Sequence, residues 1–181
     1  MINFDAQPVI NILGYFFLNP EKKIYGRELA TNLKVDPGNL SRQLKALEKD
    51  GLLLFEILGR QRYYSLNKSH PLLKEIKKIY EAEHSVSLLL KKRLVGLPKL
   101  KEAYIFGSYA QNKLNQESDI DILLIGDHSG LDARRALLPL KSSLGRDINI
   151  VDFSSSEYNK KKKEKNEFLQ NVFKGEVIKI I

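Results

Sequence analysis

Apolar positions in the first seventy residues recur first at helical spacing and then at strand spacing. Val9, Ile10, Leu13, Phe16 and Phe17 mark one face of a helix that Asn19-Pro20 ends. A short second helix is predicted over Tyr25–Leu33, with Leu29 and Leu33 inward. Asp36 can cap a third helix whose first position is Pro37. Leu40, Leu44 and Leu47 share its inner face, and Gly51 after Asp50 is its left-handed terminator. From Leu52 to Leu66 the period falls toward two, with Leu53, Phe55, Ile57, Tyr63, Tyr64 and Leu66 on two strands. Leu58-Gly59-Arg60-Gln61 supplies their turn. One long amphipathic helix follows over Leu72–Leu94, through Leu73, Ile76, Ile79, Tyr80 and Leu88–Leu90, and breaks at Gly96-Leu97-Pro98. The second half alternates strand and helix. Strands are expected at Ala103–Phe106, Ile120–Ile125 and Ile148–Phe153, and a short closing one within Val177–Ile181. A helix over Leu131–Leu144 carries Leu137, Leu138, Leu140 and Leu144, and a polar helix runs through Lys160–Lys165.

This pattern divides the 181 residues into an N-terminal domain (1–69), a connecting helix (70–96) and a C-terminal α/β or α+β domain (97–181). Residues 70–96 are the element expected to pair two copies of the chain. Composition then removes several chemistries. There is no cysteine, so disulfides, thiolate metal sites and a cysteine nucleophile are excluded. His70, His84 and His128 stand at no metal-binding spacing. No apolar run reaches the ~18–20 residues of a membrane span, and no signal pattern opens the chain, which points to the cytoplasm. The net charge is +8, from 30 Lys+Arg against 22 Asp+Glu. Such a balance suits a polyanionic partner. It is spread thinly, at +3, +3 and +2 over the three segments, so charge alone marks no face. The run Lys160–Lys163 with Lys165 reads first as a solvated helix face, with contact to nucleic-acid phosphates as the alternative.

Two constellations carry chemistry. In the first, Asn39, Ser41, Arg42, Gln43 and Lys45 face outward around the buried leucines of the third helix. Asn and Gln pair with adenine edges, and Arg forks onto guanine. Arg60 and Arg62 flank the hairpin tip, where they would meet phosphate or a minor groove. The stretch from Gly26-Arg-Glu-Leu-Ala through Leu40-Ser-Arg-Gln-Leu-Lys-Ala-Leu-Glu-Lys-Asp-Gly-Leu resembles the prokaryotic winged helix-turn-helix regulators of the ArsR and MarR type. The resemblance implies binding to double-stranded DNA, as a two-fold homodimer, without metal sensing.

In the second, Gly107-Ser108 follows a strand, and after ten intervening residues Asp119-Ile-Asp121 opens the next one. A Gly-Ser turn offers backbone N–H groups and a hydroxyl to phosphate. Residues i and i+2 on a strand share a face, so two carboxylates converge, in a pattern that suits Mg²⁺ with a nucleoside triphosphate. The segment Phe106-Gly-Ser-Tyr-Ala-Gln-Asn-Lys-Leu-Asn-Gln-Glu-Ser-Asp-Ile-Asp-Ile-Leu-Leu resembles the DNA polymerase β nucleotidyltransferase superfamily, and most of all its minimal single-domain members. That resemblance extends over residues 85–181.

It implies a third carboxylate on a later strand, where this chain carries Asn149. An amide offers a cation an oxygen but no charge, and it cannot act as a base. Asp147, two residues earlier, is the expected stand-in. Gln111-Asn112 also replaces the Arg-Gly of many relatives. These departures make the first expectation a DNA-binding regulator whose second domain binds nucleoside triphosphate with Mg²⁺ and transfers weakly or not at all. The alternative is an active transferase that modifies a hydroxyl on a protein, RNA or small molecule, as in toxin–antitoxin pairs.

Overall fold

Helix α1 (Gln7–Leu18) takes Pro8 into its first turn, where a missing N–H leaves no bond unmade. Its apolar face is so wide that Ile12, Leu13 and Phe16 lose all contact with solvent. The computed structural model describes residues 6–115 and 118–181. Of these, the residues up to Ser85 with Ser142–Gly145 form one unit, and Val86–Lys141 with Arg146–Ile181 form a second.

In the first unit, β1 (Ile24–Tyr25) leads into α2 (Gly26–Leu33) and α3 (Pro37–Lys49). The Asp36 carboxylate accepts from the Asn39 N–H at 2.7 Å, the expected cap. After α3 the chain reverses at Gly51, whose φ of +76° is open to glycine and costly for other residues. Strands β2 (Leu53–Leu58) and β3 (Gln61–Leu66) then form the hairpin, and β1 adds to its far side, giving the antiparallel order β1-β3-β2. Leu29, Leu40, Leu44, Leu52, Leu53 and Tyr64 join α1 in one core, which α4 (Leu73–His84) enters through Ile76 and Tyr80.

Three expectations change here. The single helix expected over 72–94 is two helices, α4 and α5 (Val86–Leu94), because Ser85 adopts an extended conformation (ψ 154°) that no helix continues through. Ile79 faces solvent. The strict alternation expected in β2 also fails beyond Leu53: Phe55 and Ile57 are exposed, as are Leu54 and Leu58.

The second unit is built on a four-stranded sheet of order β6-β5-β4-β7, from β4 (Leu100–Phe106), β5 (Ile120–Gly126), β6 (Ile148–Phe153) and β7 (Ile178–Lys179). A four-residue turn of helix, α6 (Gly107–Ala110), follows β4. Strand β4 runs antiparallel to β5 and β7, whereas β5 and β6 are parallel and need the crossover helix α7 (Gly130–Leu144). Five successive residues of β5, Ile122–Gly126, are buried, as expected of a strand covered on both faces. Ala103, Ile105, Ile122 and Leu124 fill one side. On the other, Leu123 and Ile125 pack with Leu169 and Val172 of α9 (Glu167–Lys174) and with Tyr158 of α8 (Ser155–Lys163). Helix α9 was not anticipated, and of the leucines carried by α7, Leu138 is exposed. No helix among the described residues is long and apolar enough to cross a membrane.

Candidate active site

The register of three strands assembles the site. Strand β5 starts at Ile120, so Asp119 stands just before it and Asp121 is its second residue. The parallel partner sets Asp121 opposite Asn149, and the Ile120 N–H donates to the Asp147 carbonyl at 2.9 Å. Period two then brings both aspartates toward the same neighbour. The Asn149 side-chain amide donates from one nitrogen to Asp119 Oδ2 at 3.0 Å and to Asp121 Oδ1 at 3.3 Å. From the other side, Phe106 pairs with Asp121, and Gly107 follows with φ +72°. A Cβ on Gly107 would stand 2.5 Å from Asp121 Oδ2. This position therefore requires glycine twice over, for its backbone and for the carboxylate pressed against it.

Burial raises the Asp121 pKa above the ordinary carboxylate value; the Asn149 hydrogen bond lowers it in part, and the Asp119 charge raises it again. The amide thus supplies a partial positive charge where two like charges converge. Two carboxylate oxygens within hydrogen-bond distance of one atom also describe a cation site. Asp119 and Asp121 fit a hard divalent ion, and the Asn149 amide would have to turn its oxygen in place of its nitrogen to join them as a third ligand. No group of three or more His, Cys, Asp or Glu side chains that could hold a metal occurs among the described residues. The donor set is two acids and an amide.

Asp147 lies just before β6, as Asp119 lies just before β5, and its carboxylate pairs with Lys141. Ser108 lies in the first turn of α6, and its carbonyl accepts from the Lys113 N–H at 2.8 Å. Gln111 ends that turn, and Asn112 is left-handed at φ 54°.

Sequence reasoning passed over Arg146. It is buried, and its Nη1 donates to the Asn115 carbonyl at 2.6 Å and the Ser118 carbonyl at 2.5 Å, fixing the chain directly before Asp119. An arginine between a glycine turn and an apolar strand gives no sequence signal for such a role. Asp127, which with His128 reads from the sequence as a loop pair after the strand, is held to the start of α8. It accepts from the Ser155 N–H and Oγ, both at 3.1 Å, and these bonds hold its pKa below the usual range.

In the first unit, a groove of 350 Å³ brings Ser41, Lys45 and Arg62 together with Arg27, which the sequence reading did not single out. Asn39, Arg42, Gln43 and Arg60 lie outside it. Arg42, Lys45 and Arg60 are exposed, whereas Asn39, Ser41 and Gln43 are half-buried. Arg62 is engaged internally: it donates to Glu48 at 2.6 Å, and its guanidinium lies 3.6 Å from the Phe55 ring centroid.

The sequence family described as "Polymerase beta, Nucleotidyltransferase" matches residues 89–179. A Methanocaldococcus jannaschii protein provisionally named a protein adenylyltransferase is 41% identical over 58 residues, 31% of this chain and 62% of its own. Protein adenylyltransferase MntA of Shewanella oneidensis is 41% identical over 63 residues, 34% of this chain and 45% of its own. The matched part is thus under two thirds of either relative's length. A toxin–antitoxin crystal structure with AMP-PNP is 31% identical over 37% of this chain and 56% of that chain, at a TM-score of 0.33, too low to bear on the fold.

Proposed function

The chain belongs to the polymerase beta nucleotidyltransferase family, and from that premise we propose that Asp119 and Asp121 serve the transfer of an adenylyl group from ATP to a hydroxyl of an acceptor protein. The observation that carries this reading is the pair of carboxylates converging on Asn149 beside Gly107. The two relatives named as protein adenylyltransferases support the choice of nucleotide and acceptor.

In this reading the acceptor oxygen forms a bond to the α-phosphorus, and the bond from that phosphorus to the departing pyrophosphate breaks. Mg²⁺, held when bound by Asp119 and Asp121, supplies charge neutralisation to the triphosphate. The protein's own part is electrostatic and positional. Gly107 admits the triphosphate to the carboxylates without a side chain in the way, and Ser108 adds a hydroxyl beside it. Asn149 holds the two carboxylates together but takes no proton, so the acceptor proton leaves to water rather than to a third carboxylate. The Asp147 carboxylate pairs with Lys141.

Release of pyrophosphate from ATP, measured with Mg²⁺ and with EDTA, tests the proposal. Metal-dependent release supports it. Binding of ATP without release, even with the acceptor supplied, would leave the domain as a nucleotide sensor.

A second reading concerns the first unit, which we take as a winged helix that binds double-stranded DNA as a homodimer. The groove that gathers Arg27, Lys45 and Arg62 beside α3 favours it. Combined with transfer chemistry, it describes an antitoxin-like protein that also acts on DNA.

A further inference from the structure

The second unit holds a cavity of 530 Å³ that the transfer reaction does not use. It lies along the sheet face that α8 and α9 cover, and Tyr104, Tyr158, Phe173, Lys161, Lys162 and Lys165 line it. Neither member of the dyad is among its lining residues. Tyr104 pairs with Leu123 on β5, two positions along from the Phe106–Asp121 pair.

Its chemistry has two parts. One is aromatic: the Tyr104 and Phe173 rings meet edge to face at 5.3 Å. The other is cationic. Four successive lysines wrap every side of α8, but only Lys161 and Lys162 of them turn to the cavity, and Lys165 joins them from beyond the helix end. Among the described residues, no carboxylate lies within ion-pair distance of these three. Two of them are held over rings instead, Lys161 at 5.3 Å from the Phe153 centroid and Lys162 at 5.7 Å from that of Tyr158. The one acid in the lining, Glu102, accepts from the Tyr104 hydroxyl. Burial and that bond push the hydroxyl pKa up to about 12, so the ring stays neutral and the carboxylate stays occupied.

Three ammonium groups beside aromatic faces, with Glu157 near Lys161 but outside ion-pair distance, suit a ligand with a planar ring at one end and a compact anion at the other. The volume lies in the range of small-ligand sites. We infer that this cavity binds a nucleoside phosphate, with its base against the aromatic residues and its phosphate on Lys161, Lys162 and Lys165, independently of the catalytic carboxylates. The same chemistry is carried by a free mononucleotide and by the phosphorylated end of a strand.

Calorimetric titration of the full chain with AMP, in EDTA and at low salt, tests the inference. One AMP is expected per chain, with the Asp121→Ala variant binding equally well. Paired replacement Lys161→Glu with Lys165→Glu should weaken AMP by about tenfold or more, the loss of charge-assisted bonds to phosphate. Lys160→Glu with Lys163→Glu changes the same helix and the same net charge outside the cavity, and it should leave AMP within about twofold. The single change Lys162→Met reads the same way should the paired variant fail to fold. Ribose 5-phosphate, which lacks the base, should bind about tenfold more weakly than AMP. A 5′-phosphorylated trinucleotide that binds more tightly than AMP assigns the site to a strand end, and one that binds no more tightly assigns it to free nucleotide; both outcomes support the site. Absence of AMP binding at millimolar concentration would overturn the inference. So would equal weakening by the two paired variants, ribose 5-phosphate binding as well as AMP, or loss of AMP binding in Asp121→Ala.

Discussion

The acidic centre of the second unit and the basic side chains of α3 and the hairpin in the first hold their charges in opposite ways. Asp119 and Asp121 are fixed by strand register, by a shared amide and by the backbone beside Gly107. Arg42, Lys45 and Arg60 stand in solvent and form no ion pair among the described residues. Bond-making demands geometry fixed in advance, and the strands provide it. Contact with a phosphate backbone tolerates mobile side chains, because its energy comes largely from released counterions. Arg62 is the exception that sharpens the contrast: paired with Glu48 and stacked on Phe55, it behaves as part of the scaffold.

The largest expected effect tests the fixed side. Asp121→Ala should lower pyrophosphate release by about 10³-fold or more, since it removes half of the acidic donor set. Circular dichroism should show an intact fold. Residual activity near that of the wild type would separate the dyad from the chemistry altogether.

Next in size is Asn149→Asp. It places a third carboxylate where the amide now donates to two, so a cation becomes necessary to hold the three together. Transfer in Mg²⁺ should rise, by up to ~10²-fold if the new group also accepts the proton. In EDTA the variant should melt several degrees below the wild type, of order 1 kcal/mol of repulsion, and Mg²⁺ should restore the loss. A variant that melts identically with and without the ion would remove the amide from its clamping role.

The basic side is tested by two arginines. Arg42→Ala should weaken specific duplex binding by roughly 1–3 kcal/mol with no change in melting temperature. Arg62→Ala should do the reverse, with a stability loss of about 0.5–1 kcal/mol from the Glu48 and Phe55 contacts and a smaller loss of DNA affinity. Equal behaviour of the two would erase the distinction between scaffold and contact.

How much of this was legible follows from the periods involved. Asp119 and Asp121 were readable as one site because two-residue alternation is rigid, and Asn149 because it stands where the family pattern has a third acid; the parallel register then sets it opposite Asp121. Asp147 shares the parity of Asn149, and its carboxylate pairs with Lys141, a partner that no local pattern announces. The hairpin side chains Phe55 and Ile57 follow the period but outrun the core that should cover them; a guanidinium covers Phe55 instead. Ser85 breaks a helix without proline or glycine to announce it. Arg146 acts through backbone carbonyls far along the chain, and no local pattern encodes that.

The smallest effects are opposite shifts with pH. Asp121 has a raised pKa in the fold, so its contribution to stability is full below the ordinary value of 3.8 and is lost as pH rises through the raised value. Asp121→Asn should therefore raise the melting temperature of the metal-free protein at pH 7 and lose that advantage in acid. Asp127 is lowered, so its contribution is present above 3.8 and disappears as pH falls through the folded value. Asp127→Asn should melt slightly lower at pH 7 and match the wild type near pH 3. Melting curves at the two pH values decide both, and shifts of the same sign would contradict the assigned environments.

The absent side chain of Gly107 has a genetic consequence. Because only a hydrogen atom separates that backbone from Asp121, a single added methyl group displaces one carboxylate while every strand and the whole first unit keep their residues. A Gly107→Ala allele is thus a separation-of-function allele. Cells carrying it would retain whatever the first unit does and lose only what depends on the dyad. Comparing that allele with a deletion of the gene would assign each cellular phenotype to one half of the chain.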